Sequence, residues 1–137
     1  GFMGGSLANP TYQQVCTKAT GHAETVEAVY DTRVLSTNAL LTEFFMLHDF
    51  TVDRSENGGQ YRSVIFLRSD DQYAKEQEEV ALKMMAILRA KGFSPATLLR
   101  KGSIFYTAGN RHQKYCLSRG VVPKRRGSEE ILKNLTF

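Results

Sequence analysis

Residues 61–92 read YRSVIFLRSDDQYAKEQEEVALKMMAILRAKG, and their pattern decides the class of fold. The opening YRSVIFL is a short run of branched and aromatic side chains, the signature of a buried strand. Ser69 followed three residues later by Gln72 has the form of a capping box, and Gly92 supplies a helix stop. Between them Tyr73, Val80, Met84, Ile87 and Leu88 return at helical spacing. Met84 and Met85 lie at core spacing, which makes them packing residues rather than oxidation targets or part of a cofactor site.

Working outward from this strand and helix, residues 50–60 (FTVDRSENGGQ) form a polar, glycine-bearing loop. Ahead of it Ser36 can cap a helix over 37–48, with Leu40, Leu41, Phe44, Phe45 and Leu47 as its apolar stripe. Residues 24–31 (ETVEAVYD) suit a strand, and residues 1–23 are loop-rich with a short helical stretch at Thr11–Cys16. Beyond Gly92, residues 97–99 and 103–106 read as short strands around Gly102, and 110–118 as a short helix. A last helix, EEILKNL, follows Ser128. Strands and helices interleave without the regular alternation of a doubly wound sheet. The expected class is α+β, a two-layer sandwich of helices on a mixed or antiparallel sheet, in one domain over 1–137.

The chain has 137 residues, 42% hydrophobic and 23% charged, the profile of an ordinary globular protein. It carries no apolar run of membrane-spanning length and does not open on a signal-like segment. A cytoplasmic location with no membrane contact is therefore expected. The net charge of +4 owes much to Arg119, Lys124, Arg125 and Arg126. These read as a solvated basic tail, and without interleaved aromatics no nucleic-acid partner is expected. Two cysteines, Cys16 and Cys116, give no disulfide framework and no CxxC pair. The three histidines are far apart, so no metal site is expected.

The loops hold a concentrated set of polar groups: Tyr12 in NPTY, His22 and Glu24 in TGHAE, then Asp53, Glu56 and Tyr61. Phenols and carboxyls on loops carried by a sheet can hydrogen-bond and protonate a polar oxygen of a substrate. Each also has an ordinary reading: a half-buried helix aromatic, a solvent-facing strand residue, a turn residue, a core tyrosine. The residues alone leave both readings open. His48-Asp49 reads as a helix-termination feature.

The stretch GFMGGSLANPTYQQVCTKATGHAETVEAVYD (1–31) resembles the A-type peptide methionine sulfoxide reductases. Their pattern runs GY-x-GG, NPTY, V-C, then TGHAE and a following YD. FFMLHDFTVDRSENGGQYRSVIF (44–66) and GSIFYTAGNRHQKY (102–115) are similar to two further blocks of that family. The strings occur in order over at least the first 115 residues, which is far more specific than one motif.

The resemblance implies a ferredoxin-like α+β core and reduction of the S epimer of methionine sulfoxide, free or in proteins, to methionine. A cysteine attacks the sulfoxide sulfur and becomes a sulfenic acid. A glutamate kept protonated by burial serves the oxygen as acid, and two tyrosines hydrogen-bond to it. On this sequence Glu24 takes the acid role, Tyr12 and Tyr61 the oxygen-binding roles. Glu56 stands where the family has an aspartate, five residues before the second tyrosine. No bound cofactor is implied; the reductant is external, thioredoxin or dithiothreitol.

The family's GCFWG segment, which carries the nucleophile, does not occur in these 137 residues. The chain is therefore expected to be an N-terminally incomplete copy lacking the first strand and helix, with residues 119–137 a divergent basic segment. A homodimer is one way to cover the edge so exposed. Neither Cys16 nor Cys116 is expected to be the nucleophile; Cys16 is the better candidate for a recycling thiol. The competing expectation is an inactive methionine-sulfoxide-binding module.

Overall fold

A computed structural model describes residues 1–125; the helix expected after Ser128 lies outside them. In chain order the elements are β1 (Phe2–Met3), α1 (Tyr12–Cys16), β2 (Ala23–Glu24), α2 (Thr37–Leu47), β3 (Val64–Leu67), α3 (Ala74–Ala90), β4 (Leu98–Lys101) and α4 (Tyr115–Ser118). A 3-10 turn lies at Asn110–His112. The class is α+β. The strands form two two-stranded pieces, β1 antiparallel to β2 and β3 parallel to β4.

The residues gather into two compact units. Unit 1 is built from residues 1–28, 54–62 and 103–124, and unit 2 from residues 29–53, 63–102 and the chain from 125 onward.

Unit 2 contains the strand and helix read from residues 61–92. A parallel pair cannot be closed by a hairpin, and α3 is the crossover that joins β3 to β4, with Val64 opposite Leu98 and Leu67 opposite Lys101. The buried core is Leu41 and Phe45 from α2, Phe50, Ile65 and Leu67 from β3, and Ala81, Met84, Met85 and Leu88 from α3. Both methionines are thus packing residues. Phe45 meets Phe50 edge-on with ring centres 5.2 Å apart, and Phe50 meets Phe93 at 5.7 Å. Each fully buried side chain of this size contributes about 1.5–3 kcal/mol by leaving water.

The helix ends show which local signals operate. The Ser36 hydroxyl accepts the Ala39 N–H at 3.1 Å and starts α2. At the far end of α3, Gly92 takes φ +92°, the Phe93 N–H reaches the Leu88 carbonyl at 3.0 Å, and the Gly92 N–H reaches Arg89 at 3.0 Å. This is a Schellman stop, closed by Phe93 packing back on the core that holds Leu88. His48, just past α2, donates through Nδ1 to the Phe44 carbonyl at 2.8 Å and takes the Ser63 hydroxyl on Nε2 at 2.7 Å. The Ser63 hydroxyl in turn meets Thr97 Oγ1 at 2.8 Å. His48 therefore ties the end of α2 to the start of β3, the packing role its position suggests.

Several expectations are corrected. The Ser69–Gln72 capping box does not form: α3 begins at Ala74, after a turn in which Asp71 Oδ1 accepts the Tyr73 N–H at 2.8 Å. The aspartate beside Ser69 captures the backbone first. Tyr61 to Ser63 precede the strand, which starts at Val64. The 103–106 strand reduces to a single bridge between Tyr106 and Phe2. The 110–118 helix is split by Lys114, whose φ of +46° breaks the α geometry. The strand expected over 24–31 stops at Glu24. Val26 and Val29 are 91% and 94% exposed, and residues 25–30 have no ladder partner among the described residues. Branched side chains favour a strand only where a neighbour exists to pair with.

Candidate functional site

Unit 1 is small, and its polar loops are fixed by close backbone contacts. Its core is Phe2, Val15 and Ala108, with Tyr12 packed against them. Phe2 pairs with Glu24 across β1 and β2 and exchanges both backbone hydrogen bonds with Tyr106 at 2.8 and 2.9 Å. Thr11 caps α1 in a complete capping box: its hydroxyl accepts the Gln14 N–H, and the Gln14 side chain accepts the Thr11 N–H at 2.8 Å. That box sets Tyr12 at the first helical position and Cys16 one turn later on the same face.

His22 holds the loop before α1. Its Nδ1 accepts the Gly5 N–H at 3.0 Å and its Nε2–H donates to the Leu7 carbonyl at 2.7 Å. The ring is buried and packs edge-on against Tyr106. Both nitrogens are occupied, so His22 is a positioning residue. A Cβ at Gly5 would lie 2.3 Å from the Thr20 carbonyl and 2.6 Å from the His22 ring, which requires glycine there.

The second loop returns through Asn57, Gly58 and Gly59, three successive residues with positive φ of 51°, 83° and 63°. A Cβ on Gly58 would sit 2.2 Å from the Lys18 carbonyl oxygen, so this turn is pressed against the segment that follows α1. It delivers Gln60 and Tyr61. The Gln60 carbonyl accepts the Glu24 N–H at 2.9 Å. Its buried amide donates to Glu24 Oε1 at 3.2 Å and lies 3.6 Å from Cys16 Sγ.

The structure thus brings Tyr12, Cys16, Glu24 and Tyr61 together around Gln60. The Tyr12 hydroxyl is held above the ordinary phenol value, first by its hydrogen bond with the Cys16 side chain and the charge there, then by Glu24 and Tyr61. Tyr61 is raised too, chiefly by the negative charge of Glu24. Both phenols therefore remain protonated donors well beyond neutral pH. Tyr61 is 59% exposed and Cys16 is exposed, so the cluster opens to solvent.

Two expectations change here. Glu24 is exposed among the described residues, where the resemblance implies burial. Glu56 is exposed and offers its backbone carbonyl to the Gly59 N–H at 3.1 Å; its carboxylate makes no hydrogen bond to the cluster among the described residues. Asp53 falls in unit 2.

Two participants escape a reading by residue type. Gln60 stands beside Tyr61 in the GGQYRS string but is the buried hub. His112 packs its ring against Tyr12 with centres 4.4 Å apart. Among the described residues no three His, Cys, Asp or Glu side chains converge to hold a metal ion, and no helix is long and apolar enough to cross a membrane. Cys116, half-buried in α4, has no printed tie to the cluster and remains a free thiol.

What the cluster can do follows from its groups. Two phenol hydroxyls can donate to one acceptor oxygen, a carboxyl beside them can supply a proton, and an amide N–H orients that carboxyl.

The family model described as peptide methionine sulfoxide reductase matches residues 1–129. The chain is similar to the peptide methionine sulfoxide reductase MsrA of Nautilia profundicola, 43% identical over 118 residues, covering 84% of this chain and 65% of that protein. It is also similar to the human mitochondrial peptide methionine sulfoxide reductase, 40% identical over 123 residues, covering 84% of this chain and 50% of that one. The chain therefore spans about half to two thirds of the length of these relatives. Among solved structures it superposes on Mxr1 from Saccharomyces cerevisiae in reduced form with a TM-score of 0.75 at 26% identity, over 92% of this chain and 75% of that one. Methionine sulfoxide reductase A of Corynebacterium diphtheriae gives 0.70 at 29% identity, over 88% and 62%. On a match covering nearly every residue, this chain belongs to the peptide methionine sulfoxide reductase family.

Proposed function

We propose that this chain binds methionine sulfoxide, free or within proteins, and serves its reduction to methionine in protein repair. The observation that carries the reading is the gathering of Tyr12, Glu24 and Tyr61 around one point, both phenols kept as donors by the negative groups beside them. A sulfoxide oxygen is a strong acceptor and takes the two phenol O–H groups. Glu24, oriented by the Gln60 amide, delivers the proton as the S–O bond breaks.

The balanced reaction is thiol plus sulfoxide giving sulfenic acid plus thioether. A dithiol such as thioredoxin or dithiothreitol then returns the sulfenic acid to thiol with release of water. In the family resemblance the attacking thiol belongs to the GCFWG segment, which these residues do not include. Within this chain the assigned work is recognition of the oxygen and proton delivery. Cys16, exposed beside Tyr12, takes the recycling role. Two free thiols suit a reducing compartment such as the cytoplasm.

Binding of a peptide containing the S epimer of methionine sulfoxide, followed by calorimetry on the full chain, tests the reading. Glu24→Gln and Tyr61→Phe are each expected to weaken binding about tenfold, the scale of one lost hydrogen bond to a polar ligand. Glu56→Gln is expected to leave it unchanged. Equal affinity for the oxidised and unoxidised peptide would defeat the proposal. Turnover of methyl p-tolyl sulfoxide with dithiothreitol, and its loss in Cys16→Ser, separates a catalytic chain from a binding module.

A further inference from the structure

The net charge is not spread evenly. Unit 1 holds seven Lys and Arg against three Asp and Glu, whereas the described residues of unit 2 hold nine of each. The whole formal excess of +4 thus falls on the unit that carries the candidate site. Within it, residues 103–124 contain no acidic residue at all.

The same stretch reaches the site. His112 lies 4.4 Å, ring centre to ring centre, from Tyr12, which makes the 110–114 turn one wall of the cluster. Arg111 precedes His112 and Lys114 follows two residues later. Both side chains are exposed, and neither makes an ion pair among the described residues. Lys114 is held in the left-handed region at φ +46°, between the 3-10 turn and α4, so its Cα is fixed rather than frayed. Gln113 anchors the turn further, donating from its amide to the Ala108 carbonyl at 2.8 Å.

We propose that Arg111 and Lys114 select the sequence around the oxidised methionine, favouring substrates with acidic residues two or three positions from it. The inference rests on the methionine-sulfoxide reading above. An extended peptide advances roughly 3.3 Å per residue, so those positions fall about 7–10 Å from the sulfoxide-bearing residue. That is the reach of an Arg or Lys beside His112, and it lies about one Debye length away at physiological salt. The central position itself excludes anions, because Glu24 stands there. The surface therefore takes a neutral oxidised side chain flanked by carboxylates. A nucleic acid is a poorer match. The aromatic rings near these cations are already engaged, Tyr12 by His112 and Tyr115 by Arg119 at 3.9 Å, leaving no free platform on which bases could stack.

The test uses the full chain and heptapeptides with a central S-epimer methionine sulfoxide, flanked by aspartates or by lysines, each paired with its unoxidised twin. Fluorescence anisotropy at 50 and 300 mM NaCl reads the affinities. The acidic oxidised peptide is expected to bind about three- to tenfold more tightly than the basic one at low salt, with the gap shrinking at high salt. The double charge reversal R111E/K114E, on two exposed side chains, is expected to invert the preference while circular dichroism stays unchanged. Equal binding of the two oxidised peptides, or an unaltered ratio in the variant, overturns the inference. Equal binding of oxidised and unoxidised twins strikes instead at the methionine-sulfoxide reading, and the acidic-to-basic ratio is read separately. A 20-nucleotide single strand that binds more tightly than the acidic peptide overturns the inference in favour of a general polyanion surface.

Discussion

Tyr12 and Tyr61 owe their raised phenol values to different neighbours. For Tyr61 the charge of Glu24 comes first; for Tyr12 the Cys16 side chain does. Glu24→Gln is therefore expected to bring the phenolate transition of Tyr61 down markedly and that of Tyr12 less, whereas Cys16→Ala acts mainly on Tyr12. Absorbance at 295 nm through an alkaline titration, with Tyr→Phe variants to assign each transition, makes the comparison. The sign is fixed: a raised value favours the protonated donor, so oxygen binding persists through neutral pH and fades only as pH climbs through the raised values. Unmoved transitions in both variants would remove the electrostatic coupling. Gly58 bears on the same cluster from the backbone. Gly58→Ala puts a Cβ 2.2 Å from the Lys18 carbonyl at φ +83°. It is expected to cost about 1–3 kcal/mol in chemical denaturation and to loosen Gln60. At this scale Tyr12, Glu24 and Tyr61 were legible because each sits inside a specific string. Gln60 was not, because nothing in a glutamine's type reveals that its amide is buried between a carboxyl and a thiol.

Among the elements, α2 and α3 were legible from apolar spacing, since each lays one face on a core drawn from its own neighbourhood. Their starting points differ in how far a local rule carries. Ser36 is a working cap and Ser69 is not. Ser36→Ala is expected to cost about 1 kcal/mol of stability and Ser69→Ala close to nothing, measured as shifts in the denaturation midpoint. Similar losses at both sites would mean that Asp71 does not govern the start of α3. The segment after Glu24 shows the limit of reading strands. ETVEAVYD has the composition of one, but strand character is a property of a pair, and composition does not supply the partner. The strand near 103–106 dwindled for the same reason, keeping one bridge to Phe2.

For the molecule as a whole, the α+β class followed from interleaved strand and helix patterns, but the division into two units did not. Unit 1 is assembled from three separate stretches, and no local signal announces such a partition. The two cores also differ in depth. Nine buried side chains form the one in unit 2, three the one in unit 1. Amide hydrogen exchange is expected to find the slowest protons in α3 and β3 and faster exchange through β1, β2 and α1. The reverse order would show that buried apolar area does not set local stability here.

The bridge from Phe2 to Tyr106 and the ring contact from Tyr12 to His112 join residues about a hundred positions apart. On the ribosome the chain emerges from its first residue onward, so Tyr12, Cys16 and Glu24 are exposed to the cytosol or its equivalent long before their last neighbours are made. The cluster is completed only when synthesis has passed residue 112, and closing so long a loop is slow compared with forming α3. A ribosome stalled short of that point therefore presents the core of unit 2 already complete in its parts, beside a recognition site that still lacks a wall.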